Sequence, residues 1–413
     1  MQHIIISDTH SPQCTEKSFS YAKKLVDKHP EIDSIVINGD LLGSFSMTGS
    51  VLHKGTQISR EKLNDYLKAG SPNFFEKFMQ SGQITEKMVL SYVAERYQWC
   101  YDVIEKFSKI KHTIFNMGNH ESPLHFLVLQ ELQFLTGCGN EVLQNVDKGI
   151  LVKIFEEFER QLYILEGQGN FTYIRSKYIL ENGVLILGIS GESHGTVGNN
   201  PESIVQEKKT RQLLLSASKE LDNVHTLVIY NHTQGIYNRE NGTFSPASES
   251  VKEFIGKLPG NVKRKIWVQS HNHWSYTQVI NLDDFYYVMN NTGLHDGIFN
   301  IIDFSTLGLS VYDADPNTEK IIKVKENNVF SNVRSEEDLI SRYYDDANYI
   351  LARKTLKQIT KVSDDSAINI SSKQDEISNS VIPKINEREK IVQDVALVNS
   401  NVNIAKIKEK IFG

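Results

Sequence analysis

The stretch His3-Ile4-Ile5-Ile6-Ser7-Asp8-Thr9-His10 opens the chain with a short apolar run that ends in a carboxylate and an imidazole. A second apolar run, residues 33–38, ends at Gly39-Asp40. Residues 16–29 between them carry apolar side chains at helical spacing, and Pro30 ends that pattern. The opening therefore predicts a β-α-β unit with parallel strands, and ligands bind at the carboxyl ends of such strands.

An apolar run followed by a polar motif recurs along the chain. It is found at residues 112–117 before Gly118-Asn119-His120-Glu121, at residues 184–190, at residues 226–230 before Asn231-His232, and at residues 265–269 before Ser270-His271-Asn272-His273. Because strand ends share one edge of a sheet, we expect these polar groups to converge. Four later runs, 276–280, 286–290, 299–304 and 309–313, lie close together and predict an antiparallel second sheet.

Two regions depart from this pattern. Residues 41–111 separate two successive strands by more than an ordinary crossover, and they include a helical stretch from Ile84 to Phe107. We expect this insertion to form a helical cap over the site. A core domain of residues 1–315 is then followed by a polar, helical C-terminal extension, residues 316–413, with a flexible joint near residues 363–380.

The overall composition excludes several classes of protein. The chain has 45 Lys+Arg against 51 Asp+Glu, a net charge of −6, so no global positive field attracts it to nucleic acid or to an anionic membrane. The three cysteines lack CxxC spacing, which favours a reducing compartment. No apolar run is long enough to span a membrane. We expect a cytoplasmic protein without a cleaved leader, because a candidate metal ligand already stands at position 8.

The polar motifs supply the ligand types that a pair of divalent ions requires. Two ions about 3.5–4 Å apart need hard oxygen and imidazole ligands and one bridging carboxylate. Asp8 and His10 are two residues apart and can reach one ion, while Asp40 is the natural bridge because Gly39 permits close approach. Asn119 offers an amide oxygen. Three further imidazoles belong to His232, His271 and His273.

The ordered series D-x-H, G-D, G-N-H-E, H and H-x-H resembles the calcineurin-like metallophosphoesterase superfamily over about residues 2–315. That resemblance implies an α/β fold, a two-sheet sandwich flanked by helices. It assigns one ion to Asp8, His10, Asp40 and His273, and the other to Asp40, Asn119, His232 and His271. His120 is then free to act on the substrate as a catalytic residue. We expect Glu121 to assist it by holding its imidazole in one tautomer.

The sequence departs from the family pattern at two positions. Ser270 stands where the family usually has glycine before the H-x-H pair. After Asp40 the chain continues Leu41-Leu42-Gly43-Ser44, without the Asp-Arg pair with which serine/threonine protein phosphatases bind phosphate. The second departure argues against a protein phosphatase, although Glu121 is the residue that those phosphatases commonly have in this motif.

The resemblance implies hydrolysis of a phosphate ester by a hydroxide that bridges two divalent metal ions. Manganese is our first choice, with iron, zinc, nickel or cobalt as alternatives. We expect a phosphodiesterase or nuclease that acts on nucleic acid or a nucleotide. The alternatives are a phosphomonoesterase acting on phosphoprotein or a small phosphate ester, and a non-catalytic binding scaffold. The C-terminal extension is a candidate site for a protein partner or for self-association.

Overall fold

The computed structural model describes the chain in segments. They are residues 1–42, 72–81, 85–122, 146–175, 177–191, 201–232, 235–238, 243–246, 248–274, 277–282, 285–291, 297–304, 308–324 and 326. Most of the predicted C-terminal extension and residues 43–71 of the predicted insertion lie outside these segments. The extension, its flexible joint and its proposed partners therefore stay predictions.

Fifteen strands and six α-helices are described. The strands are β1 (Gln2–Ile6), β2 (Ser34–Asn38), β3 (Thr113–Asn116), β4 (Phe171–Tyr173), β5 (Tyr178–Glu181), β6 (Val184–Ile189), β7 (Thr226–Asn231), β8 (Gly235–Asn238), β9 (Thr243–Pro246), β10 (Arg264–Trp274), β11 (Gln278–Leu282), β12 (Phe285–Asn291), β13 (Phe299–Asp303), β14 (Ser310–Asp315) and β15 (Lys320–Lys323). The helices are α1 (Pro12–Lys28), α2 (Pro72–Ser81), α3 (Glu86–Ser108), α4 (Lys148–Glu166), α5 (Pro201–Ala217) and α6 (Glu249–Gly256), with a 3-10 helix at Ser218–Asn223.

The strands form two mixed sheets and one separate hairpin, β8-β9. The first sheet has the order β15-β14-β13-β1-β2-β3-β4, and the second has the order β11-β12-β10-β7-β6-β5. Strands β1 to β4 run parallel, as the opening β-α-β pattern predicts. In the second sheet β6, β7, β10 and β12 also run parallel. In each sheet, the carboxyl ends of several parallel strands therefore lie along one edge.

The prediction that the late strands form an antiparallel second sheet is wrong. β11 and β12 join β10 in the second sheet, whereas β13 and β14 join β1 in the first. The pairs β11/β12 and β13/β14 are antiparallel, but β12 runs parallel to β10. β13 covers the free edge of β1, so that Gln2 faces Asp303 and Ile5 faces Asn300. This pairing gives hydrogen-bond partners to the backbone N–H and C=O groups of β1. Because the two strands are far apart in the sequence, no local sequence pattern predicts it.

Three apolar clusters define a four-layer sandwich. Alternate residues of a strand point to opposite faces, so Ile5 lies between the sheets while Ile4 and Ile6 pack outward against helices. Helices α1, α3 and α4 cover the outer face of the first sheet. Helices α5 and α6 cover the outer face of the second sheet, with Trp267 fully buried there. The predicted two-sheet sandwich flanked by helices is confirmed.

Helix α3 confirms the helical stretch predicted within the insertion but does not form a cap. Thr85 caps its N-terminus by accepting the Met88 N–H. Tyr92, Tyr97 and Phe107 are buried in the cluster on the outer face of the first sheet. The apolar face of α3 therefore completes the core, which corrects the predicted cap for this part of residues 41–111.

Helix α1 is confirmed, and it begins earlier than its apolar spacing predicts. The Ser11 side chain accepts the Cys14 N–H, and Pro12 occupies the first turn, where its missing N–H is not needed. None of the described helices combines the length and the apolar character that crossing a bilayer requires.

The buried residue His3 links the two sheets through a polar contact. His3 of β1 lies 2.5 Å from the Tyr230 hydroxyl of β7, measured from His3 Nδ1, and its ring meets Phe304 edge-on. Burial, reinforced by the positive N-terminus and by His112, lowers the pKa of His3 to about 3. His3 is therefore neutral in the folded protein at pH 5, although an unfolded chain would protonate it below about pH 6.5.

We expect His3 to make the folded protein sensitive to acid. The unfolded state binds the extra proton, so stability is lost as pH falls from about 6.5 towards 3. Between pH 7 and pH 5 the free energy of unfolding of the wild type should fall by about 2 kcal/mol more than that of His3→Gln. Urea denaturation at both pH values measures this, with the exposed His29→Gln as control. An equal pH dependence of wild type and His3→Gln would contradict the assignment.

Candidate metal centre

The predicted ligand residues converge where the carboxyl ends of both sheets meet. Asp8 and His10 follow β1, Asp40 follows β2, and Asn119 follows β3. The second sheet contributes His232, directly after β7, and His271, near the end of β10. Asp8, His10, Asp40 and His232 are fully buried, and Asn119 is 3% exposed. The convergence expected from the strand pattern is therefore present for these six residues.

The side chain of His273 lies outside what the structure describes. Its backbone belongs to β10, two residues after His271. Its predicted role as a ligand of the first ion therefore stays a prediction.

The ligand loops adopt backbone conformations that non-glycine residues rarely occupy. Asp8, His10, Asp40 and His271 have φ angles of 48°, 50°, 52° and 75°. Each left-handed residue costs roughly 1–2 kcal/mol. The loops compensate by bonding to each other, because the Asp8 N–H donates to Gly39 O and the His10 N–H donates to Asp40 O, both at 3.1 Å. The strained turns aim the side chains of adjacent loops at one point.

Two glycines are required for this close approach. Gly39 has a φ of 80°, and a Cβ there would lie 2.7 Å from the Gly118 Cα. A Cβ on Gly118 would overlap the Asp40 and Glu121 carboxylates. The Gly-Asp and Gly-Asn pairs of the sequence thus hold the loops after β2 and β3 in contact.

Asp40 lies at the centre of the site. Its Oδ1 accepts the His120 backbone N–H at 2.9 Å. Its Oδ2 lies 3.6 Å from His232 Nε2, 3.7 Å from His10 Nε2 and 3.9 Å from His120 Nε2. These separations exceed a hydrogen bond, and Oδ2 has no hydrogen-bond partner among the described residues. They match the spacing of about 3–4 Å between two atoms that each lie about 2.1 Å from one cation.

The candidate ligands form two groups that share Asp40. One group is His10, Asp40 and His120, and the other is Asp40, His232 and His271. Within each group the ligand atoms lie within 4.8 Å of one another. Asp40 belongs to both groups, as a bridging ligand would, and its role as the bridge stays a prediction. The presence of His120 in the first group differs from the prediction, which reserved this residue for the substrate.

The other two predicted ligands with described side chains, Asn119 and Asp8, adjoin the second group. Asn119 Oδ1 lies 2.9 Å from His271 Nδ1. Asp8 Oδ1 lies 3.2 Å from His232 Nε2 and also accepts the His271 N–H at 3.0 Å. Oxygen and imidazole donors thus face each other at short range, as a hard or borderline divalent cation requires.

The buried charges of the site also favour a bound cation. Burial raises the pKa of Asp40, and the neighbouring Glu121 and Asp8 raise it further, while His232 opposes them. Burial alone would lower the pKa of His232, but Asp40, Asp8 and Glu121 outweigh it and raise the pKa to about 9. Three carboxylates enclosed away from water need positive charge nearby, and divalent cations can supply it. The donor set therefore fits a dinuclear centre.

The predicted role of Glu121 is wrong. Glu121 Oε2 accepts the N–H groups of Asp40 at 3.0 Å and Gly118 at 2.8 Å, and Oε1 accepts the Leu42 N–H at 2.9 Å. This fully buried carboxylate, whose pKa is raised by burial, thus clamps the loops after β2 and β3 rather than orienting His120. The Tyr97 hydroxyl of α3 donates to Glu121 O at 2.7 Å and ties the clamp to the helical layer.

Several supporting groups were not predicted from the sequence. Leu42 O lies 3.1 Å from His10 Nδ1, so a proton on Nδ1 leaves Nε2 to face Asp40. This contact uses a backbone atom, so no side chain signals it. Asn38, Asn116 and Asn231 are fully buried beneath the ligand loops. A signal for these was available, since each is an amide residue at the last position of an apolar strand.

We expect Glu121→Gln to weaken the loop clamp. The NH2 group of glutamine cannot accept a hydrogen bond, so at least one buried backbone N–H loses its partner, at a cost of about 1–3 kcal/mol. Urea denaturation of the metal-free protein should show this loss, whereas Glu16→Gln, at an exposed surface ion pair with Lys106, should change stability by less than about 1 kcal/mol. Wild-type stability in Glu121→Gln would show that the clamp is not needed.

Comparison with known proteins supplies the family. Two solved structures share low similarity with the chain: the GAP50 anchor of the Plasmodium inner membrane complex (9% identity, TM-score 0.34, covering 83% of this chain and 95% of that one) and a 5'-nucleotidase precursor from Thermus thermophilus (10% identity, TM-score 0.32, covering 88% of this chain and 59% of that one). No curated protein sequence matches significantly. The family model for calcineurin-like phosphoesterases matches residues 1–275, which include every candidate ligand. The chain thus belongs to the calcineurin-like phosphoesterase family and is a metal-dependent phosphoester hydrolase.

Proposed function

We propose that the protein is a phosphodiesterase that hydrolyses a phosphodiester bond in nucleic acid or a nucleotide. The observation that carries this proposal is the sequence that follows Asp40, Leu41-Leu42-Gly43-Ser44, which contains no cationic residue. The side chains of Leu41 and Leu42 are buried, at 0% and 5% exposure, and pack in the cluster on the outer face of the first sheet. Leu41 and Leu42 therefore belong to the core, and residues 41–44 include no cationic side chain that could bind a phosphate.

The charge of the substrate makes this difference important. A phosphate monoester carries close to two negative charges at neutral pH, since its second pKa is about 6, whereas a diester carries one. Arginine is suited to a phosphate dianion because its guanidinium offers paired donors. The absence of an arginine from residues 41–44 therefore favours the less charged diester as the substrate. A phosphomonoesterase is the alternative that the experiment below separates from this proposal.

The protein side chains have distinct roles in the proposed reaction. Two divalent cations held by the candidate ligands, manganese by preference, would supply Lewis acidity and an activated water. Asp40, at the junction of the sheets, belongs to both candidate ligand groups and would bind both cations. His120 is 2% exposed, with its ring 4.8 Å from that of His10 and its backbone N–H anchored to Asp40 Oδ1. We assign His120 the transfer of a proton to the leaving oxygen.

Replacement of His120 distinguishes a proton donor from a metal ligand. We expect His120→Ala to reduce turnover by about 10²–10⁴-fold while two metal ions per chain remain bound. Steady-state kinetics together with metal analysis by mass spectrometry measure both quantities. His112→Ala is the matched control, because His112 precedes the same strand, β3, at its opposite end and bonds to Ser34 and Thr172. If the metal content falls in His120→Ala but not in His112→Ala, His120 is a metal ligand, which its position beside His10 and Asp40 allows.

The ester preference tests the proposed substrate class. We expect the Mn²⁺-loaded protein to hydrolyse bis-p-nitrophenyl phosphate with a higher kcat/KM than p-nitrophenyl phosphate, because residues 41–44 supply no cationic donor for the second charge of a monoester. Rates without added metal serve as the control. A hundredfold preference for the monoester would reject the diesterase proposal in favour of a phosphomonoesterase.

A cytoplasmic location and a partner-binding role for the C-terminal extension remain proposals. The first is supported by the cysteine spacing, and the second by the polar, helix-forming composition of residues 316–413.

A further inference from the structure

A buried layer of polar side chains lies directly beneath the candidate metal ligands. The layer closes the apolar core between the sheets at the end where the ligand loops begin. Its members are 0–2% exposed and come from both sheets: Asn38 of β2, Asn116 of β3, Asn231 of β7, and Gln269 and Ser270 of β10.

The layer connects the two sheets through side-chain hydrogen bonds. Asn38 Nδ2 donates to Ser270 Oγ at 2.7 Å and to Asn231 O at 3.3 Å, so β2 of the first sheet is bonded to β10 and β7 of the second. Asn116 Nδ2 donates to Asn38 Oδ1 at 2.8 Å and to Tyr230 O at 3.1 Å, which adds β3 to the same network.

The second sheet adds a further set of contacts to the layer. Asn231 Nδ2 donates to Gln269 Oε1 at 2.7 Å, and Trp267 Nε1 donates to the same oxygen at 3.0 Å. The amide group of Gln269 also donates to Ser270 O at 2.5 Å. These bonds fix Asn231, which precedes His232, and Ser270, which precedes His271, within the second sheet.

Each connecting residue stands a short distance before a ligand. Ser270 immediately precedes His271, and Asn38 precedes Asp40 by two residues. The bond between Ser270 and Asn38 is therefore a cross-sheet link between the strand that carries His271 and the strand that carries Asp40. These two ligands belong to the same candidate group. Because the metal ligands come from two separate sheets, some interaction must fix the distance between them.

We propose that Ser270 is a positioning residue for the metal centre, acting through Asn38. The family usually has glycine at this position, which offers no side chain, whereas the Ser270 hydroxyl accepts from the first sheet. The link fixes the separation of His271 from Asp40 and so raises the affinity for the ion that they share. Supporting residues of this kind typically change metal affinity by roughly 10–100-fold.

The inference rests on the proposed dinuclear centre but not on the choice of substrate. A hydrogen bond that only stabilised the core would change the unfolding transition of the metal-free protein and leave the affinity of the folded protein for metal unaltered. A positioning role predicts weaker metal binding by protein that is still folded. Metal affinity is therefore the decisive quantity, and it requires no substrate.

The experiment is a Mn²⁺ titration of the metal-stripped full chain by isothermal calorimetry. We expect Ser270→Ala to bind one of the two ions roughly 10–100-fold more weakly than the wild type. Asn38→Ala should show a similar loss of affinity. The double variant should bind Mn²⁺ about as tightly as the single variant with the lower affinity, because both substitutions remove the same hydrogen bond. Circular dichroism in the absence of metal confirms that each variant is folded.

Ser34→Ala is the matched control. Ser34 starts β2, at the end opposite to Asn38, and its 6% exposed side chain bonds to His112 at 3.1 Å. The substitution removes a near-buried serine hydroxyl from the same strand but away from the ligands. We expect this variant to retain wild-type Mn²⁺ affinity.

The possible outcomes separate the two proposals. If the wild type binds two Mn²⁺ ions and Ser270→Ala binds them within twofold of wild-type affinity, the positioning role is overturned. The same holds if Ser34→Ala loses as much affinity as Ser270→Ala. If the wild type binds no Mn²⁺, the metal centre itself fails. Should Ser270→Ala not fold, Ser270→Gly, with the residue that the family usually has there, provides the same comparison.

Discussion

The burial of Asp8, Asp40 and Glu121 together at one junction between two sheets is the constraint on which the rest of the site depends. All three residues are fully buried. Buried carboxylates are costly unless they meet hydrogen-bond donors or cations. Glu121 accepts hydrogen bonds from three backbone N–H groups and so stabilises the loops after β2 and β3. Asp40 Oδ2 instead faces imidazoles at distances suited to a shared metal ion.

The local backbone follows from this arrangement. Ligands from adjacent loops can converge only if the chain turns sharply after each strand, and four candidate ligands accordingly have positive φ. Strain of this kind persists only where surrounding interactions over-determine the conformation. The bonds between the loops of Asp8, His10 and Asp40, the close packing of Gly39 and Gly118, and the Glu121 clamp are such interactions.

Much of the fold and of the site could be predicted from the sequence because both depend on local patterns. Apolar runs identified the strands, and the polar residues that follow them identified six candidate ligands that the structure brings together. The pairing of β13 with β1 could not be predicted, since partners as far apart in the chain as Ile5 and Asn300 bear no local mark. Helix α3 looked like a cap because its sequence position shows an insertion but not the surface on which the helix packs.

The function of the polar residues could be predicted only in part, for a related reason. Residue type indicates which atoms can bind a metal but not which partner a carboxylate selects. Glu121 was expected to orient His120, but it accepts hydrogen bonds from backbone N–H groups instead. Because nearly every residue has a backbone N–H, the sequence does not indicate which of them a carboxylate binds. Ser270 was visible as a departure from the family pattern, yet its partner, Asn38, lies 232 positions away. Cross-sheet contacts of this kind require the three-dimensional structure.

The most direct test of a dinuclear centre built around Asp40 is an anomalous difference map from a crystal of the Mn²⁺-loaded protein. We predict two peaks about 3.5–4 Å apart, with the Asp40 carboxylate between them, one beside His10 and the other beside His232 and His271. A single peak, or peaks that do not contact Asp40, would contradict the assignment.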